Sequence, residues 1–464
     1  MIFNADLRTQ KYKILTQNDD YLYLGFFILF ILLMSVNSTT TVSSPIVKTN
    51  GPIIIIGVLF FIFGFVTWAN STLIPYLKIA CELTTSQAIL VTFAFYISYA
   101  VMAFPSAWVL RLTGFKNGMV VGLLVMAGGA LLFIPAAEAR SFPMFLFGLF
   151  IIGTGLALLQ TASNPYITIL GPIESAAKRI SIMGVCNKVA GALAPLILGA
   201  IILKDSDALQ TRLATMDAAA KNVELETLAS KVVMPYVLIA VALILLSIFI
   251  YKSSIPEIRA EGEDDLGSNT INRKNIFQYP YLWLGFIALF LYVGAEVLAG
   301  DIIQIYGNSL GISLDIAKNF TTYTMITMLV GYLIGIATIP KYLSQSTALR
   351  ASALIGIVFS VLAMFTTGYT SVLFIALLGL ANALVWPAIW PLAIEGLGKY
   401  TKTGSALLII GIGGGAIIPR LWADLGVHIG LQKAFVILLP CYLFIWFFAT
   451  YGYKMGKATP ELVK

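Results

Sequence analysis

Charge is scarce in this chain. Only 11% of its 464 residues are Asp, Glu, Lys or Arg, while 59% are hydrophobic, and mean hydropathy is +0.90. A soluble domain carries about 25% charged residues, so a soluble globule is excluded and the chain reads as a polytopic membrane protein. Histidine is rarer still: His428 is the single copy, which excludes a histidine cluster for zinc or haem, and it reads as a loop-end residue. Cys81, Cys186 and Cys441 show neither metal nor disulfide spacing. Acids inside apolar segments are few, so the convergent titratable or metal-binding groups of a membrane enzyme are missing. Neither enzymatic activity nor a cofactor is expected. The net charge of +7 is therefore no nucleic-acid footprint, and no such partner is expected. It is read loop by loop.

Long apolar runs are plentiful. A bilayer span needs about 20 residues. Runs of that order lie at Ile53–Leu77, Gln87–Leu110, Gly118–Ala137, Pro143–Leu170, Ile180–Leu203, Val232–Tyr251, Tyr281–Tyr306, Phe320–Ile339, Ala351–Thr367, Ser371–Leu397, Gly404–Trp422 and Leu431–Tyr453. Several exceed the minimum, which fits tilted helices around a cavity. Residues 1–50 form an N-terminal extension. Its apolar stretch Tyr21–Val36 is short for a span; the natural start reads as Met34, with the residues before it as translated leader, and a signal-like segment or a thirteenth helix are the alternatives. Ser35–Asn50 reads as a disordered tail.

Basic residues favour alternate loops. Arg111 and Lys116, Lys178 and Arg179, Lys252 to Lys274, Lys341 and Arg350, and Lys399 and Lys402 fall on one side, which puts both termini in the cytoplasm. Lys204–Lys231, on the other side, reads as a periplasmic surface helix. The polar stretch Tyr251–Pro280 divides the chain into a bundle of six spans over 51–251, a cytoplasmic loop over 252–280, and a second bundle with a short tail over 281–464. A weak repeat supports the division: Gly191 and Pro195 match Gly415 and Pro419, Pro165 matches Pro391, and Ala69-Asn70 matches Ala295-Glu296. Parallel halves of this kind hold substrate near the midplane between them.

A few polar side chains interrupt the runs, where lipid offers no hydrogen bonds. Gln160-Thr161-Ala162-Ser163-Asn164-Pro165-Tyr166 lies inside the fourth. Gln160 and Asn164 share a helix face and carry donors and acceptors suited to sugar hydroxyls. They read as the wall of an internal cavity, with helix–helix glue as the plainer alternative. Pro165 lacks an amide hydrogen and should kink or break its helix. In the first run Thr67, Asn70 and Ser71 share a face beside Trp68, whose plane can stack on a pyranose ring. Asn382, Trp386 and Trp390 follow at intervals of four in the tenth, as binding residues or as packing. Lys188 sits inside the fifth run, at a cost of about 3 kcal/mol on insertion scales. Glu296 in the seventh is its obvious partner, as a coupling site for Na⁺ or H⁺ or as half of a structural ion pair. Asp301 reads as solvated near a span end, and Glu395 and Arg420 as snorkelling. Gly191–Pro195 and Gly411–Gly415 read as pivots.

The strings FFIFGFVTWANSTLIPYLK (Phe60–Lys78), LLQTASNPYITILGP (Leu158–Pro172), YVGAE (Tyr292–Glu296) and WPAIWPLAIEGLGKYTKTGSALL (Trp386–Leu408) resemble the fucose/glucose–galactose permease branch of the major facilitator superfamily. The resemblance covers about Ile53 to Met455. It implies an all-α membrane fold of twelve helices in two pseudosymmetric six-helix bundles, and a bacterial inner-membrane sugar symporter working by alternating access. In the proton-coupled fucose permeases a glutamate stands at the place of Gln160 and an aspartate at that of Ser71. Neither residue here titrates, so Ser71 marks a departure at the coupling position. Glu296 stands where those permeases have an amide, as though one carboxylate had moved to the other half. Arg111–Lys116 keeps the basic and glycine pieces of the superfamily's loop signature without its acid. The expectation is a monomeric transporter in the lipid bilayer that imports a hexose-type sugar (glucose, galactose, fucose or an amino sugar) by cation symport. Uniport or export is the alternative, and a sugar sensor a more distant one.

Overall fold

A backbone in lipid must satisfy its own N–H and C=O groups, which a helix does within one segment. The computed structural model describes residues 50–169, 176–253, 275–339, 341–397 and 400–457, and among them it is helical without strands. The extension ahead of Asn50 and the central loop over 254–274 lie outside the described residues. The first bundle comprises α1 (Asn50–Trp68), α2 (Asn70–Ala80), α3 (Leu90–Leu131), α4 (Phe142–Ile169), α5 (Ala176–Ile202), α6 (Ser206–Thr215), α7 (Ala218–Ser230) and α8 (Val233–Lys252). The second comprises α9 (Pro280–Gly300), α10 (Ile303–Ser309), α11 (Phe320–Thr338), α12 (Gln345–Phe365), α13 (Gly368–Asn382), α14 (Val385–Ile394), α15 (Thr401–Ile410), α16 (Gly414–Ile429) and α17 (Leu438–Thr450).

Among the described residues, 11 helical stretches are long and apolar enough to cross a membrane. One of them, Thr85–Glu138, is 54 residues long, about 80 Å at 1.5 Å per residue. That far exceeds a hydrocarbon core of about 30 Å. Gly114, at φ 75° and ψ 177°, interrupts its helical backbone, in a region that glycine enters without steric cost. Two crossings therefore share this stretch, which brings the total to twelve.

Several elements differ from the sequence expectation. The single surface helix expected over Lys204–Lys231 is two, α6 and α7. Met216 is extended between them, and the Asp217 side chain caps α7 by accepting from the Ala220 amide at 2.8 Å. Helix α4 runs on through Pro165 instead of breaking, since lipid offers the freed backbone nothing better than continued helix. Breaks occur elsewhere. The seventh span is interrupted at Asp301–Ile302 and the tenth at Ala383–Leu384. The glycine run Gly411–Gly413 tightens to a 3₁₀ turn.

The described chain from Pro52 onward forms one compact unit. The bundles meet where α5 packs on α11 and α3 on α16. The Tyr76 hydroxyl donates to the Leu228 carbonyl at 2.7 Å, docking the connection α6–α7 onto the first span.

Candidate functional site

Lys188 on α5 and Glu296 on α9 meet across the seam between the bundles, with Nζ 2.7 Å from Oε1 and side chains 8% and 13% exposed. The Lys188 ammonium also lies 4.5 Å from the centroid of the Trp68 ring, a cation–π contact worth about 0.5–2 kcal/mol. Each charge thus offsets the other's desolvation. Trp68 is itself wedged between bundles. A Cβ at Gly300 would lie 2.1 Å from its Cζ3, and one at Gly191 would lie 2.4 Å from its Cδ1. Only glycine leaves room for the indole there.

On the first bundle's wall, Gln160 is half-buried and donates from Nε2 to the Tyr99 hydroxyl at 3.1 Å. The side chain of Asn164 lies outside the described residues. Asn70 and Ser71 are buried. Ser71 Oγ donates to the Trp68 carbonyl at 2.7 Å and accepts from Gln304 Nε2, across the seam, at 3.1 Å. Gln304 also donates to Thr321 Oγ1 at 3.0 Å. On the facing wall, Asn382 is buried and its Oδ1 accepts from the Tyr442 hydroxyl at 2.9 Å. Trp386 and Trp390 stack with centroids 5.5 Å apart and stay half-buried. The helix breaks between Asn382 and this pair, so the three residues do not form the uniform stripe that their spacing implies.

The expectation for Asp301 is overturned. It is fully buried, and its Oδ2 accepts from the Tyr96 hydroxyl at 3.1 Å. Tyr96 stacks against Tyr99 at 6.4 Å, so Gln160, Tyr99, Tyr96 and Asp301 form a continuous line from one bundle to the other. Burial follows from the break in the seventh span, which turns Asp301 toward α3 in place of the span end. Sequence reasoning passed over Tyr96, Tyr99 and Gln304. The available signal was Gln304 three residues beyond Asp301 inside an apolar run, where a polar group marks a site by default.

Five buried polar atoms near this seam have no hydrogen-bond partner within the protein: Trp68 Nε1, Asn70 Nδ2, Asn382 Nδ2, Gln304 Oε1 and Asp301 Oδ1. Buried polar groups are nearly always partnered, so each of these atoms has room for a partner from outside the protein; six more such atoms, among them Ser106 Oγ and Trp283 Nε1, belong to other described residues. A cavity of about 320 Å³ lies apart from them, lined by Lys78, Glu82, Gln210, Lys221 and Asn308 among others, and it includes none of the predicted site residues.

The Major Facilitator Superfamily profile matches residues 56–419. The chain is a member of the major facilitator superfamily. This superfamily member is 34% identical over 399 residues to the glucose/galactose transporter of Brucella abortus, covering 85% of the chain and 92% of that protein. It is 28% identical over 400 residues to the L-fucose-proton symporter of Escherichia coli, covering 85% and 91%. Its fold superposes on the crystal structure of the Escherichia coli fucose:proton symporter with a TM-score of 0.68 at 27% identity, over 86% of this chain and 98% of that one. A bacterial homologue of the human lysosomal transporter Spinster shares the fold at a TM-score of 0.62 and 15% identity. These relatives are transporters, and the chain belongs with them and not among enzymes.

Proposed function

We propose that this protein imports a hexose-type sugar (glucose, galactose, fucose or an amino sugar) across a bacterial inner membrane by alternating access, in symport with H⁺. The observation that carries the reading is the set of buried donors without protein partners on both walls of the seam: Trp68 Nε1 and Asn70 Nδ2 on one, Asn382 Nδ2 on the other. Sugar hydroxyls accept such donors, and an indole face suits the apolar face of a pyranose. In this reading Trp68, Asn70, Gln160, Asn164, Asn382, Trp386 and Trp390 bind substrate. Lys188 and Glu296, with Ser71 beside them, form the coupling element, because the pair spans both bundles and must respond when they rock apart. Support for sugar comes from relatives named as glucose/galactose and fucose transporters. Support for H⁺ comes from relatives named as proton symporters, and Na⁺ gains none from them. The protein works as a monomer with both termini cytoplasmic.

Uptake into proteoliposomes tests the proposal. Labelled glucose, galactose, fucose and N-acetylglucosamine are each supplied with a proton gradient, a Na⁺ gradient or neither. Accumulation of one sugar above equilibrium under the proton gradient alone is expected. Equilibration without accumulation would establish a uniporter, and transport of none of the four would overturn the substrate class.

A further inference from the structure

We propose that Asp301 is the residue that carries the coupling proton, occupied in the conformation described here and emptied when the bundles separate. The inference rests on the proton-symport reading above and adds to it a specific carrier.

The two acids of the seam sit five residues apart on the same span, yet they meet opposite surroundings. Glu296 has a cation, the Lys188 ammonium, at 2.7 Å, so its side chain has an opposite charge to pair with. Asp301 has no such partner at hydrogen-bond range. It is 0% exposed; one carboxyl oxygen accepts from Tyr96 at 3.1 Å and the other has no partner in the protein. The groups that act on it are Tyr96 from α3, Lys188 from α5 and Glu296 from α9. Lys188 and Glu296 already neutralise each other, so an ionised Asp301 would add a lone negative charge to a dry interior. On α16, Arg420 is committed to Asp424 at 3.0 Å and to the Ser86 carbonyl at 3.0 Å. Burying an unpaired carboxylate costs far more than burying the neutral acid, and the neutral acid fits the site as it stands.

The position of Asp301 makes this a coupling device. The Tyr96–Asp301 hydrogen bond joins the first bundle to the second, and it sits at the break between α9 and α10. Rocking the bundles apart along α3 and α9 would admit water to Asp301 and remove the penalty on its charge. One proton bonds to a carboxylate oxygen from water on one side, crosses as part of the neutral acid, and returns to water on the other. No other bond is made or broken, and each cycle moves one positive charge with the sugar. Gln160 and Ser71 on the first bundle's wall carry no titratable group, and Asp301 reaches that wall through Tyr96.

The test uses the full-length protein in proteoliposomes. Asp301→Asn mimics the neutral acid permanently. It is expected to keep sugar exchange across the membrane within about threefold of wild type while losing accumulation driven by a proton gradient at least about tenfold. Tyr96→Phe keeps the ring and removes only the hydroxyl that steadies the carboxylate, so the alkaline fall in uptake is expected to move to higher pH. Asp301→Asn that still concentrates sugar under a proton gradient overturns the proposal, as does an unmoved pH profile in Tyr96→Phe. Where Asp301→Asn fails to fold, the Tyr96→Phe profile decides. A wild-type protein that no proton gradient drives would overturn the symport reading itself, whereas wild-type accumulation retained in Asp301→Asn would overturn only this carrier.

Discussion

Asp207 on α6 accepts from the Ser313 hydroxyl and, at 3.1 Å each, from the backbone amides of Leu314 and Asp315 in the other bundle. Close by, Lys318 donates to the Leu203 carbonyl at 3.2 Å, and Ser86 to Asp424 at 3.2 Å. At the opposite end, two lysines bond within their own bundles. Lys116 reaches the Ser253 carbonyl at 2.7 Å inside the first bundle, and Lys457 reaches the Leu392 carbonyl at 3.2 Å inside the second. Among the described residues, the first end is tied across the seam, while these contacts at the second tie each bundle to itself. A rocking transporter needs this asymmetry. Bonds that cross the seam must break for that end to open, and bonds within a bundle travel with it.

The largest expected effect lies at the midpoint, where Lys188–Glu296 crosses the seam between the two ends. Lys188→Met strands a buried carboxylate and should cost about 3–5 kcal/mol. The double variant Lys188→Met/Glu296→Leu should recover most of that while remaining inactive. Thermal unfolding in detergent, paired with uptake, checks both; full transport by the double variant would remove the pair from the mechanism.

Next is the tied end itself. Asp207→Ala removes three acceptor contacts and should shift the population toward opening by about 1.4 kcal/mol, or roughly tenfold. Cys81 reports it. This thiol is half-buried at that end, and burial pushes its pKa up to about 11, so it should label slowly with a maleimide at neutral pH. In a Cys186→Ser background, with Cys441 buried, Asp207→Ala should label about tenfold faster, while Lys116→Ala at the other end should stay within about twofold. Equal rates in the two variants would dissolve the contrast between the ends.

A smaller change is expected at Arg420, which links α16 to the Ser86 carbonyl. Arg420→Ala should lower stability by about 1 kcal/mol and raise Cys81 labelling in proportion, measured by the same two assays. The smallest concerns Glu82, whose carboxyl takes a hydrogen bond from Lys221 that holds it below the usual carboxylate range. Such a group adds stability above its unfolded value of about 4.3, and the contribution fades as pH falls through the folded value. The pair is exposed and lies within the first bundle. Glu82→Gln should therefore cost less than about 1 kcal/mol at pH 7 and nothing once both forms are protonated, with Cys81 labelling unchanged. Melting curves at the two pH values check the sign.

Much of the candidate site was legible residue by residue. A lysine and a glutamate inside apolar runs announced a pair, because neither can stay alone in lipid. Asn70, Gln160 and Asn382 were marked for the same reason. Asp301 was misread because a carboxylate near the end of an apolar run looks solvated from sequence. Its burial depends on Tyr96, 205 residues away, and on a break in the seventh span with no proline to signal it. The stripe through Asn382, Trp386 and Trp390 failed for a related reason: regular spacing assumes a regular helix.

From sequence alone came the class of molecule, the number of crossings and the polar residues that need an explanation. Lipid imposes those through contiguous composition, one segment at a time. Tertiary structure decided which polar groups meet, which end of the seam is tied, and which of two acids is paired. Those outcomes depend on distances between segments far apart in the chain, and charge energetics in a dry interior change steeply over a few ångströms.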